Sequence, residues 1–90
     1  MDIRKVIHLN DDYFIERSDG HITVYHPVLT TSVHLDETGA LVWELCNDRR
    51  TVADIISILC RIYPENVAQI EADVKEVVIN LVENKIVSLK

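Results

Sequence analysis

The stretch at residues 35–46, LDETGALVWELC, is where the pattern of this chain changes from strands to helices. Asp36 is a typical N-cap residue for the helix that begins there, and this helix is predicted to end near residues 47–48. Trp43 is interpreted as a core residue, with the lining of an adjacent groove as the alternative. Gly39 costs about 1 kcal/mol relative to alanine in a helix, which indicates that something approaches the helix backbone closely at this point.

Upstream of this stretch, the chain is predicted to form a hairpin and a third strand. Segments 13–18 and 21–26 flank Asp19 and Gly20, a dipeptide that favours the left-handed conformations of a type I′ turn. The run at 28–35 is rich in β-branched residues and predicts another strand. Because this run is short and polar, it suits the edge of a sheet better than its centre.

Downstream, two more helices are predicted. Thr51 and Asp54 come close to a capping-box pattern at the start of the second helix, and Pro64 ends it. Asn66 and Gln69 form a second capping-type pair at the start of the third and longest helix. The apolar arc of the third helix is wider than a single packed face requires. The surplus residues are Ala68, Ala72, Ile79 and Val82 on one flank and Val77 on the other.

A run of strands followed by a run of helices predicts an α+β fold. Two short capped helices followed by a longer one are typical of a helix-turn-helix core, to which the hairpin would add a wing. We therefore expect a winged helix-turn-helix-like fold, with a three-stranded antiparallel sheet followed by three helices. Residues 86–89 are predicted to form a short terminal strand, and residues 1–90 to form one domain.

Composition narrows the classes of function. Acidic residues outnumber Lys plus Arg by 15 to 9, giving a formal charge of −6, which disfavours nucleic acid and anionic membranes as partners. No apolar stretch approaches the ~20 residues of a membrane span, and no signal peptide is recognised. We expect a cytoplasmic protein in which Cys46 and Cys60 are reduced.

The chemistry-bearing residues do not form a catalytic or metal-binding pattern. Metal sites need three or four converging ligands, and neither Cys-x-x-Cys nor His-x-x-x-His occurs. No phosphate loop or nucleophile motif is present. We therefore expect no enzymatic activity, no metal and no cofactor. The four histidines, interpreted as surface or pairing residues, are His8, His21, His26 and His34.

Several segments together resemble the PqqD-like family. The stretch 35–46 is similar to its first-helix signature, and RTVADI at 50–55, IEADV at 70–74 and LVE at 81–83 are similar to its later elements. The resemblance covers about residues 22–89. It implies a protein that binds the leader of a ribosomally synthesised precursor peptide and presents it to a modifying enzyme. That enzyme would be a radical SAM protein, as in pyrroloquinoline quinone synthesis, or a leader peptidase, as in lasso peptide pathways.

The resemblance also implies a binding site, in which the leader adds as a strand beside the third strand and lies against the third helix. An exposed edge can accept an extended peptide in this way. Lys75 would pair with an acidic leader residue, and Val33→Asp is expected to abolish binding while the fold survives. By position, the edge is Thr31, Ser32, Val33, His34 and Leu35. The helix side, taken from the surplus flank, is Ala68, Ala72, Lys75, Ile79 and Val82.

Two other functions stay open at this point. The same edge could pair with a second copy, or the hairpin could exchange between copies through residues 27–28, making the chain a self-associating structural module. The edge could also be covered by the chain's own N-terminal segment. Residues 1–20 match nothing in the family. A DNA-binding winged helix is a distant third, because acidic residues dominate the third helix. The precursor peptide, its modification and the partner enzyme are not specified by the sequence.

Overall fold

The computed structural model of this chain describes residues 1–10, 13–26, 31–46 and 49–90. The α+β fold is confirmed: a three-stranded antiparallel sheet is followed by three α-helices, and a two-stranded sheet joins the two ends of the chain. In chain order, the elements are β1 (Ile7–Leu9), β2 (Phe14–Ser18), β3 (His21–His26), β4 (Thr31–Leu35), α1 (Glu37–Leu45), α2 (Val52–Ile62), a 3₁₀ turn (Pro64–Asn66), α3 (Val67–Glu83) and β5 (Val87–Leu89).

The predicted hairpin is confirmed. Asp19 and Gly20 have φ angles of 50° and 80°, and two successive residues at positive φ are the mark of a type I′ turn. The strands it joins, β2 and β3, pair antiparallel from Phe14 opposite Tyr25 to Ser18 opposite His21.

The predicted third strand is β4, which pairs antiparallel with β3. The strand order of this sheet is β2-β3-β4, so β4 is an edge strand, as predicted. Within the described residues, no strand pairs with its other side. Strand β4 begins at Thr31, and the predicted residues 28–30 lie outside the described part of the chain.

Helix α1 begins as predicted. The Asp36 carboxylate accepts a hydrogen bond from the Gly39 amide at 2.9 Å, which satisfies one of the free N–H groups of the first turn. A Cβ atom on Gly39 would lie 3.0 Å from Cβ of Leu35, so the close approach at this glycine is the end of β4. Trp43 is a core residue, 2% exposed, and Tyr13 packs edge-on against its ring at 5.2 Å. The α-helical span ends at Leu45, and residues 47–48 are not described.

One of the two predicted caps downstream is confirmed and the other is wrong. Thr51 and Asp54 form a complete capping box, with both hydrogen bonds at 3.0 Å. Asn66 makes no side-chain cap, because it lies at the end of a 3₁₀ turn with φ −122° and ψ 29° rather than in the extended conformation that an N-cap needs. The Gln69 amide instead donates to Asp73 at 2.8 Å.

The N-terminal segment forms a strand that the sequence did not predict. Strand β1 pairs antiparallel with β5, with Ile7 opposite Leu89. A single bridge from Val6 to Thr51 ties the same segment to the start of α2. This pairing takes the N-terminal segment to the C-terminal end of the chain, so in the described residues it does not cover the edge of β4.

One apolar core holds these elements together, and no described polar or charged residue is buried. It lies between the inner face of the three-stranded sheet and the three helices, and the two-stranded sheet adds to it. No helix in the described part of the chain is long and apolar enough to cross a membrane. The core residues are Ile7, Ile22, Val24, Val33, Leu35, Val42, Trp43, Cys46, Val52, Ile55, Leu59, Ile70, Val74, Val78, Leu81, Ile86 and Val87.

Candidate functional site

The register of the sheet determines which main-chain groups of β4 are available. Ser18 and His21 flank the two-residue turn, where the pair is hydrogen-bonded in both directions. Bonded and non-bonded positions alternate along a strand, so residues of β3 bond to β4 in alternation, beginning with Ile22. It follows that the main chains of Ser32 and His34 point to the open edge, ready to pair with an added strand.

The side chains of β4 alternate between the core and the outer face of the sheet. Val33 and Leu35 are only 7% and 3% exposed, whereas Ser32 and His34 are exposed. The side chains of Val33 and Leu35 thus anchor β4 in the core, and the side chains of Ser32 and His34 lie on the outer face of the sheet. This placement changes the expectation for Val33→Asp, because that substitution would bury a carboxylate in the core.

His34 is part of a polar cluster on the outer face. Its ring nitrogens lie 3.1 Å from the Thr23 hydroxyl and 3.3 Å from Nδ1 of His21. These contacts tie the edge strand to β3 on the side opposite the core and limit the rotamers of His34.

A recess of about 310 Å³ opens beside β4. It runs from the end of the strand, over the start of α1, to one flank of α3. We call it the β4–α3 recess, and its lining is mixed, with three carboxylates and one half-buried apolar side chain from α3. The residues are His34, Leu35, Asp36, Thr38, Gly39, Asp73, Glu76, Val77 and Asn80.

A second recess, of about 460 Å³, continues from the first between α1 and the ends of α2 and α3. The two share Thr38 and Asp73. This α1–α3 recess is more apolar, and Leu41 and Tyr63 on its rim are 43% and 46% exposed. The residues that line it are Glu37, Thr38, Leu41, Leu59, Tyr63, Asn66, Gln69, Ile70, Asp73 and Val74.

The structure brings the predicted edge residues to this site but not the predicted helix residues. At roughly 100° per residue, the residues of α3 that line the β4–α3 recess lie on the opposite side of the helix from the predicted flank. The flank residues are exposed or half-buried, and contact between them and a peptide stays a prediction. None of the five lines either recess. The flank residues are Ala68, Ala72, Lys75, Ile79 and Val82.

The signal for the flank that borders the β4–α3 recess was present in the sequence but weak. Asp73, Val77 and Asn80 recur at intervals of four and three residues, as neighbours on one helical face do. Only Val77 among them is apolar, so the hydrophobic pattern gave this flank little weight.

A third recess, of about 480 Å³, lies away from β4, between the hairpin turn and α1. The Arg17 guanidinium donates to the Glu44 carboxylate across it. Since it does not touch the open edge, we do not include it in the site.

The described chemistry-bearing residues include two free cysteines. Burial raises the pKa of the Cys46 thiol to about 12, against a smaller opposing effect of Arg50, so this thiol stays protonated at neutral pH. Cys60 is half-buried and also free of disulfide bonds. Across the described ranges, no three His, Cys, Asp or Glu side chains gather in a way that could hold a metal ion.

Together, these features define a small winged-helix-like α+β domain with an open sheet edge beside a recess. The chain belongs to the PqqD family: the family model described as coenzyme PQQ synthesis protein D matches residues 21–87. Its fold is similar to that of TbiB1, in a structure solved in complex with the TbiA(beta) leader peptide. The TM-score is 0.75 at 18% sequence identity, over 90% of this chain and 94% of the TbiB1 chain. No curated protein sequence matched this chain.

Proposed function

We propose that this protein binds the leader segment of a ribosomally synthesised precursor peptide and presents it to a modifying enzyme. The leader adds as an extended strand to the open edge of β4. The observation that carries the proposal is the open edge at Ser32 and His34, directly beside the β4–α3 recess. Membership of the PqqD family and the likeness to a fold that was solved with a leader peptide support it.

Main-chain hydrogen bonds give the guest strand its position. Strand addition satisfies N–H and C=O groups that otherwise bond to water, and side chains at alternate positions supply specificity. An added strand lies 4.7–4.9 Å from its neighbour, so side chains on one of its faces reach the recess that begins at His34 and Leu35.

Apolar side chains of the leader supply most of the affinity. A guest that continues past Thr38 and Asp73 enters the α1–α3 recess, where Leu41 and Tyr63 are partly exposed. Burying a side chain of the size of leucine contributes about 1.5–3 kcal/mol. By comparison, an exposed ion pair contributes about 1 kcal/mol at most.

The protein itself supplies binding and presentation, and the partner enzyme supplies the chemistry. We expect that enzyme to be, for example, a radical SAM protein or a leader peptidase.

The test is a fluorescence-anisotropy titration with synthetic leaders from short precursor-like reading frames beside the gene. One leader should bind saturably, and Ser32→Pro should abolish its binding. Proline removes an edge N–H that makes no bond to β3, and edge strands tolerate it at such positions. The matched control is Ile15→Pro, at the equivalent non-bonded position of β2 on the opposite edge, which should bind normally.

Two outcomes would count against the proposal. The first is that no leader binds to the folded protein. The second is that the Ser32→Pro and Ile15→Pro variants bind the leader with equal affinity. A sedimentation coefficient that rises with concentration, and falls in Ser32→Pro, would instead favour self-association through this edge.

A further inference from the structure

The β4–α3 recess is lined with negative charge. Asp36, Asp73 and Glu76 all border it, and no Lys or Arg is among its described lining residues. One carboxylate oxygen of Asp36 caps α1, and one carboxylate oxygen of Asp73 accepts a hydrogen bond from Gln69. The second oxygen of each carboxylate can still accept a hydrogen bond from a guest. The Glu76 carboxylate has no hydrogen-bond partner among the described residues.

The nearest lysine in sequence does not offset this charge. Lys75 lies on the other side of α3, where its ammonium group pairs with Glu71 at 2.9 Å. That pair spans four residues, with Glu on the N-terminal side, which is the favourable order in a helix. The sequence-based prediction that Lys75 meets an acidic leader residue therefore lacks a free cation beside the edge.

We infer that this recess selects leaders with a Lys or Arg side chain opposite Asp73 and Glu76. This inference rests on the proposed function, because it concerns the chemistry of the same guest strand. A basic side chain suits the recess for two reasons. Its long aliphatic stem can lie along Val77 while its charged end reaches the carboxylates. An acidic side chain at the same place would meet like charges in a partly enclosed space.

The carboxylates can also be neutralised without disturbing the fold. Asp73 is half-buried and Glu76 is exposed, so Asp73→Asn with Glu76→Gln preserves size and hydrogen bonding while it removes two charges. A matched control removes two charges elsewhere. Glu65 and Glu83 are exposed and line neither recess, so Glu65→Gln with Glu83→Gln changes the net charge equally.

The experiment uses the full chain and the leader that binds in the titration above. Each Lys or Arg of that leader is replaced singly by Gln and by Glu, and affinities are measured in 50 mM and 500 mM NaCl. At one position, Gln should weaken binding to the unaltered protein by roughly fivefold, and Glu should weaken it more. The effect should shrink at high salt. It should be largely lost in Asp73→Asn/Glu76→Gln and retained in Glu65→Gln/Glu83→Gln.

The two proposals fail in different ways. If a leader binds, and Ser32→Pro abolishes its binding, but no basic residue matters, the charge selection is wrong and strand addition stands. The charge selection is also wrong if the basic-residue replacements in the leader weaken binding equally in Asp73→Asn/Glu76→Gln and in Glu65→Gln/Glu83→Gln. If no leader binds to the folded protein, the proposed function fails and this inference fails with it.

Discussion

The imidazole rings of His21 and His34 lie stacked across the β3–β4 pair, with their centroids 5.3 Å apart and their planes inclined by 22°. Nδ1 of His21 is 3.3 Å from Nε2 of His34. The pair lies on the outer face of the sheet, and His34 belongs to the edge strand at which we place the leader. The contact therefore links the edge strand β4 to β3.

This contact should be measurable as a coupling energy. Diagonal and direct cross-strand pairs contribute about 0.2–1 kcal/mol each. We expect a double-mutant cycle with His21→Ala and His34→Ala to give a coupling of that size in urea unfolding. If the losses of unfolding free energy in the two single variants simply add up in the double variant, the rings do not interact in solution.

Val33→Asp should destabilise the fold strongly rather than only block binding. The Val33 side chain is 7% exposed, and an unpaired carboxylate there should cost about 3 kcal/mol or more. That is a large part of the 5–15 kcal/mol typical of domains. The measurement is circular dichroism with urea. Ser32→Asp, one residue away on the exposed face, should retain the fold, and equal stability of the two variants would contradict the assigned alternation.

The two free thiols should differ in reactivity. Burial raises the pKa of the Cys46 thiol from its ordinary value of 9.0 to about 12, and only the thiolate reacts readily with disulfide reagents. At pH 8, Ellman's reagent should label half-buried Cys60 and leave Cys46 unlabelled until the chain unfolds. A Cys60→Ser variant should therefore show no reaction in native buffer and one thiol in denaturant. Fast labelling of native Cys60→Ser would contradict this burial.

The raised pKa of Cys46 also predicts the direction of a pH effect. The folded state favours the neutral thiol, so its contribution to stability is fully present below pH 9. As pH rises from about 9 to about 12, the unfolded state ionises first, and the contribution is lost. The free energy of unfolding should fall over this range, and it should fall less steeply in Cys46→Ala, relative to that variant's own neutral value.

The two helix starts should respond differently to alanine. Thr51→Ala removes the hydroxyl that accepts a hydrogen bond from the Asp54 amide in the capping box. This change should lower the free energy of unfolding by about 1 kcal/mol. Asn66→Ala should change it little, because Asn66 makes no side-chain cap. Urea unfolding of both variants checks this, and a larger loss in Asn66→Ala would reverse the assignment.

The site was only partly predictable from the sequence. The family resemblance indicated the edge strand, and the structure gives it an open side at Ser32 and His34. The helix side was placed on the flank of α3 with the most apolar residues, including Ile79. The structure turns Asp73 and Val77 toward β4, and contact between a peptide and the predicted flank stays a prediction. Periodicity shows which residues share a helical face, but it does not show which neighbour each face meets.

What the sequence by itself determined is local. The Asp19-Gly20 turn, the Asp36 cap and the Thr51 capping box all depend on groups within three residues of one another. Only the tertiary structure decided the pairing of β1 with β5 and the flank of α3 that borders the recess. The physical reason is that these features join segments distant in sequence. Their geometry is fixed by how the sheet and the helices pack around a shared core, and a short sequence pattern does not predict that packing.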